Sequence, residues 1–242
     1  MKDMKIALVT GANKGIGFEI AKQLAQAGVT VLLGARDKAR GQAAINALTA
    51  VGLAVEALVI DVNDEMTIGA AAREISARYG RLDILVNNAG IVDGEDGPPT
   101  RARIAAVRRL METNFLGALS VTQAMLPLLR HSKAGRIVNL STTLGSLSIN
   151  GDPTSPYYDA RLIGYNASKA ALNMLTVQLA AELKGTSIAV NAVAPGYVKT
   201  DLTGGNGYMT PAEGARLPVQ YALLADSSVT GQFVSPEGPV AW

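Results

Sequence analysis

A glycine-rich run lies near the start of the chain, where a strand is expected to turn into a helix. Residues 10–17 contain Gly11, Gly15 and Gly17. The apolar segment 4–9 predicts the strand, and residues 18–27 predict the helix. Backbone without side chains can approach a pyrophosphate, and the helix directs free N–H groups and its positive dipole end at that anion. The run therefore predicts a dinucleotide site, although a turn that only packs helix against strand has the same spacing.

A tyrosine and a lysine four residues apart form a second candidate site. Tyr165 and Lys169 lie in the helix predicted over Gly164–Leu183, and residues i and i+4 share one face of a helix. A nearby ammonium favours the phenolate, so the pair predicts an acid–base group with a pKa lowered from about 10. The alternative is a packed tyrosine beside a solvated lysine. Three competing tyrosines lack a lysine at that spacing: Tyr157, Tyr158 and Tyr197.

Composition limits the partners and the chemistry. The chain has 242 residues, of which 48% are hydrophobic, and a formal net charge of +2. Positive charge is not clustered with aromatics, so we expect no nucleic-acid partner. Apolar runs are too short for a membrane helix, and the start lacks a signal-type segment, so we expect a cytoplasmic protein with no membrane partner. With no cysteine and one histidine, His131, neither a thiol nucleophile nor a metal site is expected.

Apolar and helical patterns alternate along the chain. Buried strands are predicted at Val29–Gly34, Ala54–Ile60, Leu82–Val86, Arg136–Leu140 and Ile188–Val193. Helices are predicted at Ala39–Ala50, Thr67–Tyr79, Arg101–Arg130 and Gly164–Leu183. This order predicts one Rossmann-like α/β domain over 1–242, a doubly wound parallel sheet flanked by helices. Irregular segments at 92–100, 146–162 and 196–217 follow strand ends, where ligands bind in such sheets, and are expected to shape the substrate pocket.

Further motifs follow the predicted strands, and together they carry a family likeness. They are Asp61-Val62, Asn87-Asn88-Ala89-Gly90, Thr113–Gly117 and Pro195-Gly196. With the glycine run and the Tyr165–Lys169 pair, the chain resembles the classical short-chain dehydrogenases/reductases over nearly its whole length. Its pattern is most similar to NADPH-dependent carbonyl reductases, on the evidence of Asn13-Lys14, Ala35-Arg36-Asp37, 218–224 and 231–235.

The resemblance implies a set of nicotinamide-cofactor contacts. Those implied are Gly11, Asn13, Lys14, Gly15, Ile16, Gly17, Arg36, Asp61, Val62, Asn88, Ala89, Gly90, Tyr165, Lys169, Pro195, Gly196, Val198 and Thr200. NAD-preferring relatives place an acidic residue after the second strand, whereas this chain has Arg36, which with Lys14 offers two cations to a 2′-phosphate. NADPH/NADP⁺ is therefore expected, with an ordinary surface arginine as the alternative. Asp37 lies one position later and fits a helix N-cap.

The resemblance also implies groups that assist Tyr165. Relatives carry two serines after the fifth strand, and alignment on Asn139 and Gly145 puts the catalytic one at Thr142, whose hydroxyl can donate as serine does. Ser141 is the fallback. Asn114 resembles the asparagine that holds a relay water to the lysine, although an asparagine hydrogen-bonded in a helix kink is the alternative.

The expected activity is reduction of a small-molecule ketone or aldehyde with NADPH. Two alternatives stay open: an NADP-dependent alcohol dehydrogenase that mainly oxidises, and a nucleotide-sensing protein without catalysis. Thr142 and Tyr165 are 23 positions apart, a longer spacing than in compact tetrameric relatives. In carbonyl reductases an insertion here covers the helices used for pairing. A similar cover by Tyr157, Tyr158 and Leu162 would give a monomer or dimer rather than a tetramer.

Overall fold

One eight-stranded sheet organises the computed structural model, which describes residues 4–242. The strands are β1 Ile6–Val9, β2 Thr30–Ala35, β3 Val55–Val59, β4 Ile84–Asn87, β5 Arg136–Leu140, β6 Ala189–Val193, β7 Phe233–Ser235 and β8 Gly238–Pro239. Their order is β3-β2-β1-β4-β5-β6-β7-β8, parallel throughout except for β8, which pairs antiparallel with β7. The order reverses between β1 and β4, and such a reversal opens a crevice at the carboxyl ends of the strands.

Helices cover both faces of the sheet. They are α1 Gly15–Gln26, α2 Lys38–Thr49, α3 Glu65–Tyr79, α4 Ile104–Met111, α5 Gly117–Leu129, α6 Leu147–Gly151, α7 Ile163–Glu182 and α8 Pro211–Leu223. One apolar core includes Leu24 and Ala222, and the other includes Ile75 and Leu129. Because both faces are covered, the inner strands are continuous apolar runs. Within residues 4–242, no helix combines the length and apolar character needed to cross a bilayer.

The predicted fold class is confirmed, and the six predicted strands are found with ends within two residues of the expected ones. One local expectation is confirmed as well. Asp37 caps α2 by accepting the Arg40 N–H at 3.0 Å. The histidine at position 131 has a structural contact, since its Nδ1 donates to the carbonyl of Gly80 at 2.9 Å, at the end of α3.

The prediction of a single helix over Arg101–Arg130 is wrong. The helix begins at Ile104 and is divided by a π-helical segment, Glu112–Leu116. The π segment brings Asn114 to Ile91, whose N–H and C=O both bond the Asn114 amide. Hydrophobic periodicity cannot reveal such a segment, because it adds a single residue to the turn.

The segment 196–217 is not a loop throughout, because α8 begins at Pro211. Thr210 caps this helix by accepting the Glu213 N–H, and the Glu213 carboxylate accepts the Thr210 N–H. This reciprocal capping box, with proline at the first helical position, is a start signal legible in the sequence. The neighbouring segment 146–162 likewise contains a short helix, α6.

A buried arginine fastens α8 to the sheet. Arg136 opens β5 and is 1% exposed. Its guanidinium donates to the carbonyls of Gly135, Ser187, Leu224 and Ala225 at 2.7–3.3 Å. Leu224 and Ala225 directly follow α8, so these bonds satisfy carbonyls where that helix ends.

Arg136→Met is expected to lower the free energy of unfolding by about 3 kcal/mol, because four carbonyls lose a charged hydrogen-bond donor. The melting temperature should fall by roughly 6–12 °C in calorimetry. Arg130→Met, at an exposed position after α5, is the matched control and should change little. Equal melting temperatures for the two variants would contradict this role of Arg136.

Candidate active site

The glycine run forms the turn between β1 and α1, and two of its glycines are needed for close packing. A Cβ added to Gly11 would lie 2.9 Å from the Cα of Ala89, and one at Gly17 would lie 2.3 Å from Nδ2 of Asn88. Gly11 and Gly15 also adopt positive φ angles of 63° and 59°, which disfavour other residues. Gly11 and Gly17 are therefore needed for packing, as the alternative interpretation of the glycine run expected. This packing is compatible with a role of the turn in binding a pyrophosphate.

The turn after β1 is locked to the turn after β4. Thr10 Oγ1 accepts the N–H groups of Asn88 and Ala89 at 3.0 and 3.1 Å. The Asn88 side chain donates back to the carbonyls of Thr10 and Gly11 at 2.8 and 3.1 Å. At the other side of the turn, Lys14 is the N-cap of α1 and makes no side-chain cap. An anion could therefore take the first N–H groups of this helix.

The other predicted cofactor contacts lie at the same edge of the sheet, on the segments after β2, β3, β4 and β6. They are Arg36, Asp61, Val62, Asn88, Ala89, Gly90, Pro195, Gly196, Val198 and Thr200. Val62, after β3, packs closely against Gly117. A Cβ added to Gly117 would lie 2.9 Å from Cγ2 of Val62. The crevice at the strand reversal thus collects them, as parallel strand ends require.

The two cations expected at a 2′-phosphate differ in their surroundings. Lys14 Nζ lies 2.6 Å from Oδ2 of Asp201, which follows Thr200. The Lys14 ammonium lowers the pKa of that carboxyl. Arg36 is exposed and forms no ion pair within the described residues. Arg36 could therefore bind a phosphate without losing an existing ion pair. Lys14 would first have to break its ion pair with Asp201.

Tyr165 and Lys169 share one face of α7, as the spacing predicts. Lys169 Nζ lies 6.0 Å from the centre of the Tyr165 ring and donates to the Leu140 carbonyl at 2.7 Å. Burial lowers the pKa of Lys169 to about 8 and raises the pKa of Tyr165 to about 12. The expected lowering of the tyrosine pKa is therefore wrong for this arrangement, because burial disfavours the charged phenolate.

The two hydroxyls after β5 have different environments. Ser141 is 4% exposed and donates its proton to Oδ1 of Asn173 at 2.6 Å. Thr142 is half-buried, and its Oγ1 accepts the Leu144 N–H at 3.3 Å. The Ser141 hydroxyl already donates its hydrogen bond to the buried Asn173 amide. The Thr142 hydroxyl is therefore the better placed of the two to donate to a ligand.

Asn114 is held in the π segment by both ends of its amide. Oδ1 accepts the Ile91 N–H at 2.8 Å, and Nδ2 donates to the Ile91 carbonyl and to Ser168 Oγ at 3.0 Å. A Cβ added to Gly90 would lie 3.4 Å from Asn114 Oδ1 and 3.5 Å from Lys169 Nζ. Gly90 thus leaves a space between the Asn114 amide and the Lys169 ammonium. The Asn114 amide itself is hydrogen-bonded at the helix kink, as the alternative interpretation of this residue expected.

Two polar side chains at the site were missed in the sequence. Ser168 Oγ accepts from Asn114 and donates to the Tyr165 carbonyl at 2.8 Å. Its position three residues after Tyr165, on the same helix face, is a signal that could have identified it. The other is Asp96, which contacts the start of α7 and lies too far from Tyr165 in sequence for any local pattern.

The family and its relatives agree with this arrangement. A family model described as short chain dehydrogenase matches residues 5–209. The chain belongs to the short-chain dehydrogenase family. The short-chain dehydrogenase anuI of Penicillium roqueforti is 39% identical over 96% of this chain and 94% of its own. Carbonyl reductase [NADPH] 1 of Sus scrofa is 36% identical, over 98% of this chain and 94% of its own.

Solved structures of the short-chain dehydrogenase fold give the same result. An NADPH-bound carbonyl reductase from chicken fatty liver superposes with a TM-score of 0.85 at 29% identity, covering 99% of both chains. The salutaridine reductase of Papaver somniferum gives 0.81 at 32% identity, over 95% of this chain and 99% of its own. The predicted Rossmann-like fold and the likeness to carbonyl reductases are confirmed. The chain is an oxidoreductase of a family that acts on carbonyl and alcohol groups.

Part of the insertion between Thr142 and Tyr165 contacts the segment that follows β5, because the Tyr157 phenol faces Thr143 as well as Tyr208. Leu116, in the π segment, and Met174, on α7, are 41% and 57% exposed in the single chain. The expectation of a monomer or dimer rather than a tetramer stays a prediction.

Thr142→Val is expected to lower kcat by about 10²–10³, because a developing oxyanion loses a donor. Thr142→Ser keeps the hydroxyl and should remain active in the same spectrophotometric assay. Ser141→Ala is the control, since its hydroxyl is bonded to Asn173. An inactive Ser141→Ala beside a near-normal Thr142→Val would transfer the role to Ser141.

Proposed function

We propose that this protein reduces a ketone or aldehyde to an alcohol with NADPH as the hydride donor. The observation that carries the proposal is the pairing of Tyr165 with Lys169 on one face of α7, where the ammonium nitrogen lies 6.0 Å from the centre of the phenol ring. A tyrosine phenol is protonated at neutral pH. A protonated acid beside a developing alkoxide is what reduction needs. The substrate is proposed to be a small molecule, and the cytoplasmic location stays a prediction.

The residues around the crevice fit a phosphorylated dinucleotide. The α1 N-terminus and the glycine turn suit its pyrophosphate, and Arg36 suits a 2′-phosphate. When bound, NADPH supplies the hydride. The proposed tasks of the protein are therefore to bind the cofactor, to hold the carbonyl beside it and to deliver a proton.

Each catalytic group has a proposed task that follows from its surroundings. Tyr165 gives its phenol proton to the carbonyl oxygen, while the Thr142 hydroxyl donates a hydrogen bond to the same atom. Lys169 places a positive charge near Tyr165 and is proposed to bind a ribose of the cofactor. Asn114 lines the space at Gly90 in which a water could connect to Lys169.

The oxidative alternative requires the phenolate form of Tyr165 as a base. Burial raises the pKa of this phenol to about 12, which disfavours the phenolate form. A nucleotide sensor would need neither Tyr165 nor Thr142 at the crevice. Turnover of any carbonyl compound by purified protein separates the enzyme from the sensor.

Tyr165→Phe is expected to lower the kcat of carbonyl reduction by about 10²–10⁴, because the proton donor is lost. NADPH affinity, measured by fluorescence titration, should be nearly unchanged. Tyr158→Phe removes a phenol from the insertion, where the ring stacks with Arg161, and should retain activity. If Tyr165→Phe keeps most of its kcat, the proposed mechanism is wrong.

NADPH is expected to be preferred over NADH, and Arg36→Ala should narrow that preference. A hydrogen bond to a charged group contributes about 1.5–3 kcal/mol, which corresponds to roughly 10–150-fold in the ratio of kcat/KM values. Arg130→Ala, an exposed arginine at the end of α5, should leave the ratio unchanged. Equal kcat/KM values for the two cofactors in the unmutated protein would refute the assignment.

A further inference from the structure

The helix that carries Tyr165 begins without a capping side chain of its own. Leu162 is the N-cap residue of α7 and makes no side-chain hydrogen bond to the helix. The first N–H groups of any helix lack partners within it. In α7 these groups belong to Ile163, Gly164 and Tyr165, the last being the proposed proton donor.

One turn of the distant segment 92–100 supplies all three acceptors. Asp96 Oδ1 accepts the Gly164 N–H at 2.9 Å, and Asp96 Oδ2 accepts the Tyr165 N–H at 2.9 Å. The carbonyl of Gly97 accepts the Ile163 N–H at 3.0 Å. Asp96 therefore acts as an N-cap from 68 residues away, with its negative charge at the positive end of the helix.

The contact is close because position 164 has no side chain. A Cβ there would lie 2.7 Å from Cδ1 of Leu110, 3.1 Å from the Cα of Val107 and 3.1 Å from Asp96 Oδ1. Alanine at this position would push α7 away from α4 and from the carboxylate. Gly164 thus permits the start of α7 to approach both neighbours.

The turn that carries Asp96 is itself fixed to α4. Arg109 donates to Oδ2 of Asp93 at 2.8 Å, and the Asp93 side chain is only 13% exposed. The Arg109 contact with Oε2 of Glu95, at 3.0 Å, lies at the surface, where an ion pair contributes little. Asp96 Oδ1 also accepts the N–H of Gly97 at 2.9 Å. Contacts within its own turn therefore fix the Asp96 carboxylate independently of α7. For this reason the carboxylate can set the position at which α7 begins.

We propose that Asp96 is a positioning residue for Tyr165, which fixes the backbone of the proton donor and joins it to a wall of the substrate pocket. The inference rests on the proposed function for its kinetic consequence. The bonds reach the Tyr165 amide directly, so their loss shifts the phenol relative to a bound carbonyl. A displacement of about 1 Å can cost on the order of 100-fold in rate.

The test compares Asp96→Ala, Asp96→Asn and the control Glu95→Ala. Glu95 lies on the same turn, but its side chain contacts Arg109 rather than α7. We expect Asp96→Ala to lower kcat by about 10–100-fold with unchanged NADPH affinity, and to raise the solvent deuterium isotope effect as proton transfer becomes limiting. Asp96→Asn keeps one oxygen acceptor and should lose less. Glu95→Ala should stay within about twofold of the unmutated protein on both readouts.

Hydrogen exchange followed by mass spectrometry gives a readout without activity. The peptide that contains Gly164 and Tyr165 should exchange faster in Asp96→Ala and not in Glu95→Ala. Hydrogen exchange does not depend on turnover, so it tests the contact of Asp96 with α7 even if the unmutated protein reduces no carbonyl. That absence of activity would refute the proposed function and not the role of Asp96 at the start of α7.

Three results would overturn the positioning role. The first is unchanged exchange in Asp96→Ala. The second is a loss of activity that only follows the loss of folded protein, with the isotope effect unchanged. The third is an equal loss of kcat in Glu95→Ala.

Discussion

The approach of the turn after β1 to the turn after β4 is the constraint on which the site depends. Parallel pairing places both strand ends at one edge, and side chains at Gly11 or Gly17 would collide with Ala89 or Asn88. Four hydrogen bonds then cross the gap, donated by Asn88 and Ala89 and accepted by Thr10 and Gly11. Because the β1 turn leads into the proposed cofactor site and the β4 turn leads into the segment proposed to line the substrate pocket, this single junction fixes the two proposed sites relative to each other.

Elements that depend on local patterns could be predicted from the sequence. Buried parallel strands are apolar on both faces, so their runs are legible, and the Tyr165–Lys169 spacing is a property of one helix. The start of α8 is also a local pattern, because Thr210 and Glu213 have the spacing of a capping box. In contrast, the division of the long helix at Glu112–Leu116 follows from the contact of Asn114 with Ile91. That contact arises only when β4 and the helix meet in space.

The electrostatics of the site could not be predicted, because they depend on burial. From spacing alone, Lys169 should stabilise the Tyr165 phenolate. In the folded chain, the ammonium bonds the Leu140 carbonyl and both groups are desolvated, so both neutral forms gain. The same limit applies to Asp96, whose distance from Tyr165 along the chain hides a direct contact with its amide.

The π segment between α4 and α5 also has a consequence for the length of the chain. Each residue of a helix turns its successors by about 100°. A π turn holds one residue more than an α turn, so the extra residue is taken up within Glu112–Leu116, and Val121 and Met125 keep their places in the core. A deletion within α5 itself has no such turn to absorb it and would rotate the residues that follow by about 100°. Deleting one residue from Glu112–Leu116 should therefore disturb the Asn114 contacts with Ile91, and a deletion within α5 should disturb the core.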